Sequence, residues 1–324
     1  MKISRICGVM LLAAALPLAA QGQGQPWPSK PITIVVPFPP GGATDVMARL
    51  LAPKIEQAVG KSVVVENKVG AGGTIGAQYV ARANKDGYTF LWGTVATHGI
   101  GPNIYKNLPY DAARDFIPVV HVVDQPYVLV AHPSAGVSTV AELVAKAKSD
   151  PASVSAASAG KGTGAHMILE KFQSATHTEL LHVPYKGAGP AMTDLLGGQV
   201  QIAFDVILTT TPYIEAKKLV PLAVTSAQRS LALPEVPTLD EAGIKGFDAV
   251  GWNGIFAPAG TPAAIIAKVN AAVTQALQAP EIHDRIVKEG SIPVGGSPEE
   301  FGKFVQSELA SWGEVARQSN VALD

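Results

Sequence analysis

Gly70-Ala71-Gly72-Gly73-Thr74-Ile75-Gly76 and Ser158-Ala159-Gly160-Lys161-Gly162-Thr163-Gly164 lie in different halves of the chain, each between a strand-like run and a helix-like run. Glycine lets backbone approach a ligand closely, and the first amides of a helix have no partner inside it, so each junction offers N–H donors to an anion. Two such junctions read as two halves of one clamp for a small carboxylate or phosphate. Strand, glycine loop and helix in that order also signal a parallel sheet, whose ligands sit at the carboxyl ends of the strands.

The same order recurs on both sides of these loops. Ile32-Thr33-Ile34-Val35-Val36 is a β-branched run stopped by Pro37, Pro39, Pro40 and Gly41-Gly42, after which Thr44 opens a helix running to about Val59. Val63-Val64-Val65 leads through the first glycine loop into a helix over 77–83, and the strand 88–92 ends at Gly93-Thr94. Strands apolar on both faces and alternating with helices predict a sheet covered on both sides. Two apolar runs, 119–123 and 127–130, are separated only by Asp124-Gln125-Pro126, which predicts a crossing into a second lobe. There the alternation restarts: a helix over 139–148, a strand over 154–157, the second glycine loop, a helix over 165–173, and strands over 200–204 and 219–224. A return crossing is expected within 250–256. Ile265, Ile266, Val269, Val273 and Leu277, and then Phe301, Phe304, Val305, Leu309 and Trp312, follow helical spacing and predict C-terminal helices packed on the first lobe. The expected division is a first lobe of residues 26–123 plus 229–324 and a second of residues 124–228.

Lys2 and Arg5, the apolar stretch 6–20 and the polar run 21–25 read as a signal peptide over residues 1–22, which predicts export. Its apolar core is short for a membrane span. Cys7, the single cysteine, precedes that core, which argues against a lipid-modified cysteine and predicts an exported chain without thiols, disulfides or thiolate metal sites. The 25 basic and 26 acidic side chains form no basic cluster, so nucleic acid and anionic membranes are poor partners. A chain of 324 residues fits two domains at roughly 100–200 residues each.

No cofactor is expected. The phosphate-loop pattern G-x-x-x-x-G-K-[ST] is absent, and the loose G-x-G-x-x-A at Gly160, Gly162 and Ala165 lacks the acidic residue at the end of the following strand, since Glu179 precedes 180–183. No metal is expected either, because His177 and His182 have no carboxylate at ligand spacing. A secreted α/β hydrolase is the competing class. Ala156-Ala157-Ser158-Ala159-Gly160 resembles a nucleophile elbow with alanine for its first glycine, and Asp205 and His283 follow in the matching order. Against it, extra glycine-spaced residues separate Ser158 from its helix, and His283 falls in a helical stretch. Ser158 reads equally as a loop hydroxyl. His166, in the first turn after the second loop, packs there or meets the ligand. Asp45 favours the dipole of its own helix. Asp205 ends a buried strand and would accept from a hydroxyl, an ammonium or a water.

Several motifs together resemble a known family. Pro37-Phe38-x-Pro40-Gly41-Gly42-x-x-Asp45, Glu66-Asn67-x-x-Gly70-Ala71-Gly72-Gly73, Pro184-Tyr185-Lys186-Gly187-x-Gly189-Pro190-Ala191, Asp194-Leu195-Leu196-Gly197-Gly198-Gln199-Val200, Pro234-x-Val236-Pro237-Thr238 and Phe256-Ala257-Pro258-x-Gly260-Thr261-Pro262 are similar to those of the Bug family. These are TctC-like periplasmic solute receptors of tripartite tricarboxylate transporters. The resemblance implies an α/β type II periplasmic-binding-protein fold, two lobes on two crossovers with a ligand cleft between them. It also implies a monomer that is not an enzyme and that delivers its ligand to the membrane subunits of a transporter. The implied ligands are di- and tricarboxylates, acidic amino acids or aromatic acids, held by backbone amides, hydroxyls and waters. Carried onto this chain, the implied ligand-binding residues are Phe38, Pro40, Gly41, Gly42, Gly72, Gly73, Thr74 and Thr94 in the first lobe. In the second they are Ser158, Gly160, Gly162, Thr163, Gly164 and Asp205, with His166 beside them.

Overall fold

A computed structural model describes residues 27–324, so the leader expected over 1–22 lies outside the described residues. β1 (Ile32–Val36) pairs in parallel with β2 (Val63–Asn67) and β3 (Thr89–Thr94), as β-branched runs joined by helices must if both faces are to be covered. α1 (Ala43–Val59) and α2 (Thr74–Ala81) make the two crossovers. α3 (Gly101–Ile104) follows a π turn over Ala96–Ile100, so the chain after β3 is helical where the sequence marked only a strand end.

β4 (Phe116–Ala131) is one strand of 16 residues, although the sequence showed two runs with a break. The break is where β4 changes partners. Up to Pro126 it lies antiparallel to β9 (Val250–Pro258), and from Tyr127 onward it lies antiparallel to β7 (Ile202–Val206). A proline has no N–H for a ladder bond, and here it falls where one ladder hands over to the next. The second lobe holds α4 (Val140–Ser149), β5 (Ser155–Ser158), α5 (Gly164–Thr176), β6 (Leu181–Pro184), α6 (Ala188–Leu196), α7 (Ile207–Glu215) and β8 (Val220–Val224). β5 lies parallel to both β6 and β7. α4 starts on a reciprocal cap, in which Thr139 accepts from the Glu142 amide and the Glu142 carboxylate accepts from the Thr139 amide.

β9 returns between β3 and β4, and β10 (Ile292–Gly295) adds to the edge of β4. α8 (Ala263–Gln278) buries Ile266, Val269, Val273 and Leu277 in a core shared with α1, β1 and β3. α9 (Pro280–Lys288) adds Ile282 and Ile286 to it. α10 (Pro298–Gln318) covers the opposite face, burying Phe301 and Trp312 beside Trp252 and Phe256. Both apolar stripes therefore pack on the first lobe. The return comes later than the sequence division at residue 229. Leu233 and Val236 join the second-lobe core with Val128 and Val130, Thr238 bridges Val224, and the Ala249 amide donates to the Thr225 carbonyl at 2.9 Å. The segment between β8 and β9 lacks helical or strand periodicity, so nothing in its pattern said which lobe it covers.

Candidate functional site

A cleft of about 350 Å³ opens where the lobes meet. Its first-lobe wall is residues 38–44 after β1 and 94–96 after β3; its second-lobe wall is residues 163–165, 187–190 and 205–209; Gln125, Gly251, Trp252 and Asn253 on the crossing strands form its back. The amino ends of α1, α5, α6 and α7 all face this space. Each presents unpaired amides and the positive end of its dipole. Among the described residues, no lysine, arginine or histidine lines the cleft. An anion held there is held by backbone, hydroxyls and amides.

The first-lobe loop is fixed from beneath by Asp45, which is 3% exposed. Its carboxylate accepts from the Gly41 amide at 2.9 Å, from Arg49 Nε at 2.9 Å and from Asn67 Nδ2 at 2.9 Å, and the same Asn67 amide donates to the Phe38 carbonyl at 3.0 Å. Burial alone would raise this carboxyl, but the hydrogen bonds from Arg49, Gly41 and Asn67 outweigh it and hold the group below its ordinary value. The dipole role read from the sequence is thus joined by a structural one: Asp45 ties helix, loop and β2 together.

Phe38, Pro40, Gly41, Gly42, Thr94, Thr163, Gly164 and Asp205 line the cleft. Gly72, Gly73, Thr74, Ser158, Gly160, Gly162 and His166 do not. The first glycine loop stands behind the wall: a Cβ on Gly73 would come within 2.9 Å of Thr97 Cγ2 and 3.2 Å of Phe38 Cζ, so its glycine lets Phe38 settle into place. Gly72 instead meets the second glycine loop, where a Cβ would lie 3.2 Å from the Lys161 carbonyl oxygen and 2.9 Å from Tyr105 Oη. The two loops touch each other, with Tyr105 between them, and their glycines serve that close approach.

Ser158 is 2% exposed, and its hydroxyl lies 2.7 Å from His182 Nε2 while accepting from the Gly160 amide at 3.2 Å. Burial, with the neighbouring His166, pushes His182 down to about 4, so near neutral pH the imidazole is uncharged and shares a hydrogen bond with the serine hydroxyl. The His166 ring stacks on it at 4.4 Å, with Nδ1 accepting from the Gly162 amide at 3.2 Å and Nε2 lying 3.5 Å from Glu170. His166, Glu170 and His182 also cluster tightly enough to raise the question of a metal. His166 Nδ1 is occupied as an acceptor, so its Nε2 turns toward the Glu170 carboxylate 3.5 Å away, and the fold brings beside His182 a carboxylate that spacing along the chain did not show. The pair of histidines braces the second loop from behind. The serine, Asp205 and His283 do not come together as a hydrolase would need: Asp205 faces the cleft, and His283 lies exposed on α9 beside Asp284. His182, brought to Ser158 by the β5–β6 pairing, is the partner that chain order did not disclose.

Asp205 is enclosed by protein yet reachable from the cleft, and burial pushes its carboxyl up to about 7 despite hydrogen bonds from the Val206 amide at 2.8 Å and from Thr209. Gln125 and Asn253, not singled out as site residues from the sequence, also reach the cleft. Their only sequence signal was position, at the two predicted crossings.

The sequence profile described as "Tripartite tricarboxylate transporter family receptor" matches residues 47–321. Protein BugT of Bordetella pertussis is 36% identical over 325 residues, covering 100% of both chains. Among solved structures, Rpa4515 of R. palustris, determined with adipate, shares 36% identity with a TM-score of 0.89 over 91% of this chain and 99% of its own. MatC of Rhodopseudomonas palustris, determined with bound malate, shares 33% identity with a TM-score of 0.85 over 89% of this chain and 99% of its own. By profile, by a relative matched end to end and by fold, the chain belongs to the TctC family of solute-binding receptors, within the Bug-like group.

Proposed function

We propose that this receptor works in the periplasm, captures a small carboxylate between its lobes by closure, and presents it to the membrane subunits of a tripartite tricarboxylate-type transporter. The observation that carries the ligand class is the cleft itself, with four helix amino ends directed into it and, among the described residues, no cationic side chain on its walls. The adipate and malate held by structural relatives support the same class. The ligand-facing residues in this reading are Phe38, Pro40, Gly41, Gly42, Thr94, Thr163, Gly164 and Asp205. Gly72, Gly73, Thr74, Ser158, Gly160, Gly162 and His166 act one layer behind, by shaping the loops. The chain acts as a receptor and not as a catalyst, and as a monomer.

Closure follows from differential contact. The first-lobe amides receive the ligand, and the closed form gains stability from the further contacts that the second lobe then makes. A thermal-shift screen across mono-, di- and tricarboxylates, acidic amino acids and aromatic acids checks the ligand class. A ligand at about 100 times its dissociation constant adds about 2.7 kcal/mol to stability, a shift of several degrees for a chain of this size. Stabilisation by neutral sugars or divalent metals, with no carboxylate active, would refute the reading.

A further inference from the structure

Three side chains on adjacent strands form a directed chain of hydrogen bonds that ends in the cleft. Trp92 Nε1 on β3 donates to Asn253 Oδ1 on β9 at 2.8 Å, and Asn253 Nδ2 donates to Gln125 Oε1 on β4. The direction is set by chemistry. An indole N–H can only donate, so the Asn253 atom facing it must be the oxygen; the other end of that amide is then NH2, which can only donate, so Gln125 must turn its oxygen toward it. Gln125 Nε2 is what remains, and it is buried with no partner in a residue only 4% exposed. Flipping either amide would set two buried donors against each other.

Thr94, at the end of β3, lines the same cleft, is 5% exposed, and has a buried hydroxyl that also lacks a partner. Buried polar groups in native proteins are almost always satisfied. Two orphans of this kind, one on the first-lobe wall and one at the back of the same cleft, point to a bound group that completes them.

We propose that Gln125, locked as a donor by Trp92 and Asn253, is a specificity-determining residue that requires a ligand oxygen without hydrogen, a carboxylate oxygen, at the crossover end of the cleft. The inference rests on the carboxylate reading of the site and sharpens it. An ammonium at that end meets a donor and is rejected, and a neutral amide, which can still turn its carbonyl oxygen to Gln125, binds more weakly than the charged acceptor. The crossing strand thereby reads the ligand as well as joining the lobes. Thr94 Oγ1, able to turn its proton either way, completes the seat.

The test uses succinate, malate and adipate, each beside its primary diamide, with calorimetric titration of the whole protein. Gln125→Glu is isosteric and still accepts from Asn253, but it turns the free donor into an acceptor. The expected result is a loss of about ten- to hundred-fold in affinity for whichever carboxylate the native protein binds, since hydrogen bonds to charged groups are of that strength. The loss should be accompanied by no loss, or a gain, for the matching amide. Equal carboxylate affinity in the native protein and in Gln125→Glu overturns the role of Gln125 while leaving the receptor reading intact. Binding of none of these carboxylates, or of other acids in the wider screen, overturns both. If Gln125→Glu fails to fold, a crystal structure of the native protein with its carboxylate decides the matter. A ligand oxygen bonded to Gln125 Nε2, directly or through one water, is the expected outcome, and a ligand acid group seated elsewhere overturns the proposal.

Discussion

Asp205 and Asp45 are carboxylates of opposite character within a few residues of the same cleft. Asp205 has its carboxyl pushed up to about 7 by burial, from an ordinary value of 3.8. A raised carboxyl means that the folded chain holds a proton the unfolded chain has released, so its contribution to stability declines as pH rises between those two values. A bound carboxylate deepens the effect by repelling the charged form. Ligand affinity is therefore expected to fall as pH climbs through about 7, and Asp205→Asn should flatten that dependence; calorimetric titration from pH 6 to 8.5 checks it. Asp45 is lowered by its hydrogen bonds, and its contribution is present above the ordinary carboxyl value and lost as pH falls through the lower folded one. Asp45→Ala removes the acceptor for Gly41, Arg49 and Asn67. It is expected to cost about 1–3 kcal/mol in urea unfolding near neutral pH and to weaken ligand binding by loosening residues 38–42.

Glycines in the strands and loops are where elements approach closest. On β9, a Cβ at Gly254 would fall 2.1 Å from Phe301 Cζ and 2.9 Å from the Val120 carbonyl oxygen, so α10 can lie on the sheet only over a glycine. Gly254→Ala is expected to destabilise the protein by about 1–3 kcal/mol in urea unfolding, with ligand affinity changed little, because the strain falls on the face away from the cleft. Gly164 opens α5 at the cleft wall, and a Cβ there would lie 2.5 Å from Tyr127 Oη. Gly164→Ala is expected to weaken binding at least ten-fold by displacing Tyr127 into the ligand space, a change that titration would read directly. Equal affinity would mean that the tyrosine yields toward solvent.

Across the molecule, two of the contacts between the lobes run over the cleft. Gly72 meets the Lys161 carbonyl and Tyr105, and Gly187 faces Pro39, where a Cβ would stand 2.9 Å from Pro39 Cγ. Contacts this tight are of the kind the proposed closure would make. On the proposed reading, a ligand is what compensates the helix ends and buried polar atoms of the cleft, and its release favours opening toward water. Small-angle scattering is expected to show a larger radius of gyration for ligand-free protein than for the complex, and Gly187→Ala should hold the complex partly open. An identical radius in both states would refute closure by rigid lobe movement.

Strand-helix order, the stripes of α8 and α10 and the two crossing points were legible in the chain, because hydrophobic period and glycine-proline punctuation are local properties. That the first-lobe turn 38–42 and the second-lobe Thr163, Gly164 and Asp205 border the cleft was legible for the same reason: in a parallel sheet, the end of each strand is a position in sequence as much as in space. What lies behind or across those ends was not. By sequence the first glycine loop reads as a ligand clamp, because glycine permits approach without saying to what. Contact assigns it to Phe38, Tyr105 and the opposing loop. The partner of Ser158, the lobe covered by residues 229–249 and the Trp92–Asn253–Gln125 relay all join residues distant in sequence. Only the folded sheet, which sets β9 between β3 and β4, brings such groups within bonding distance.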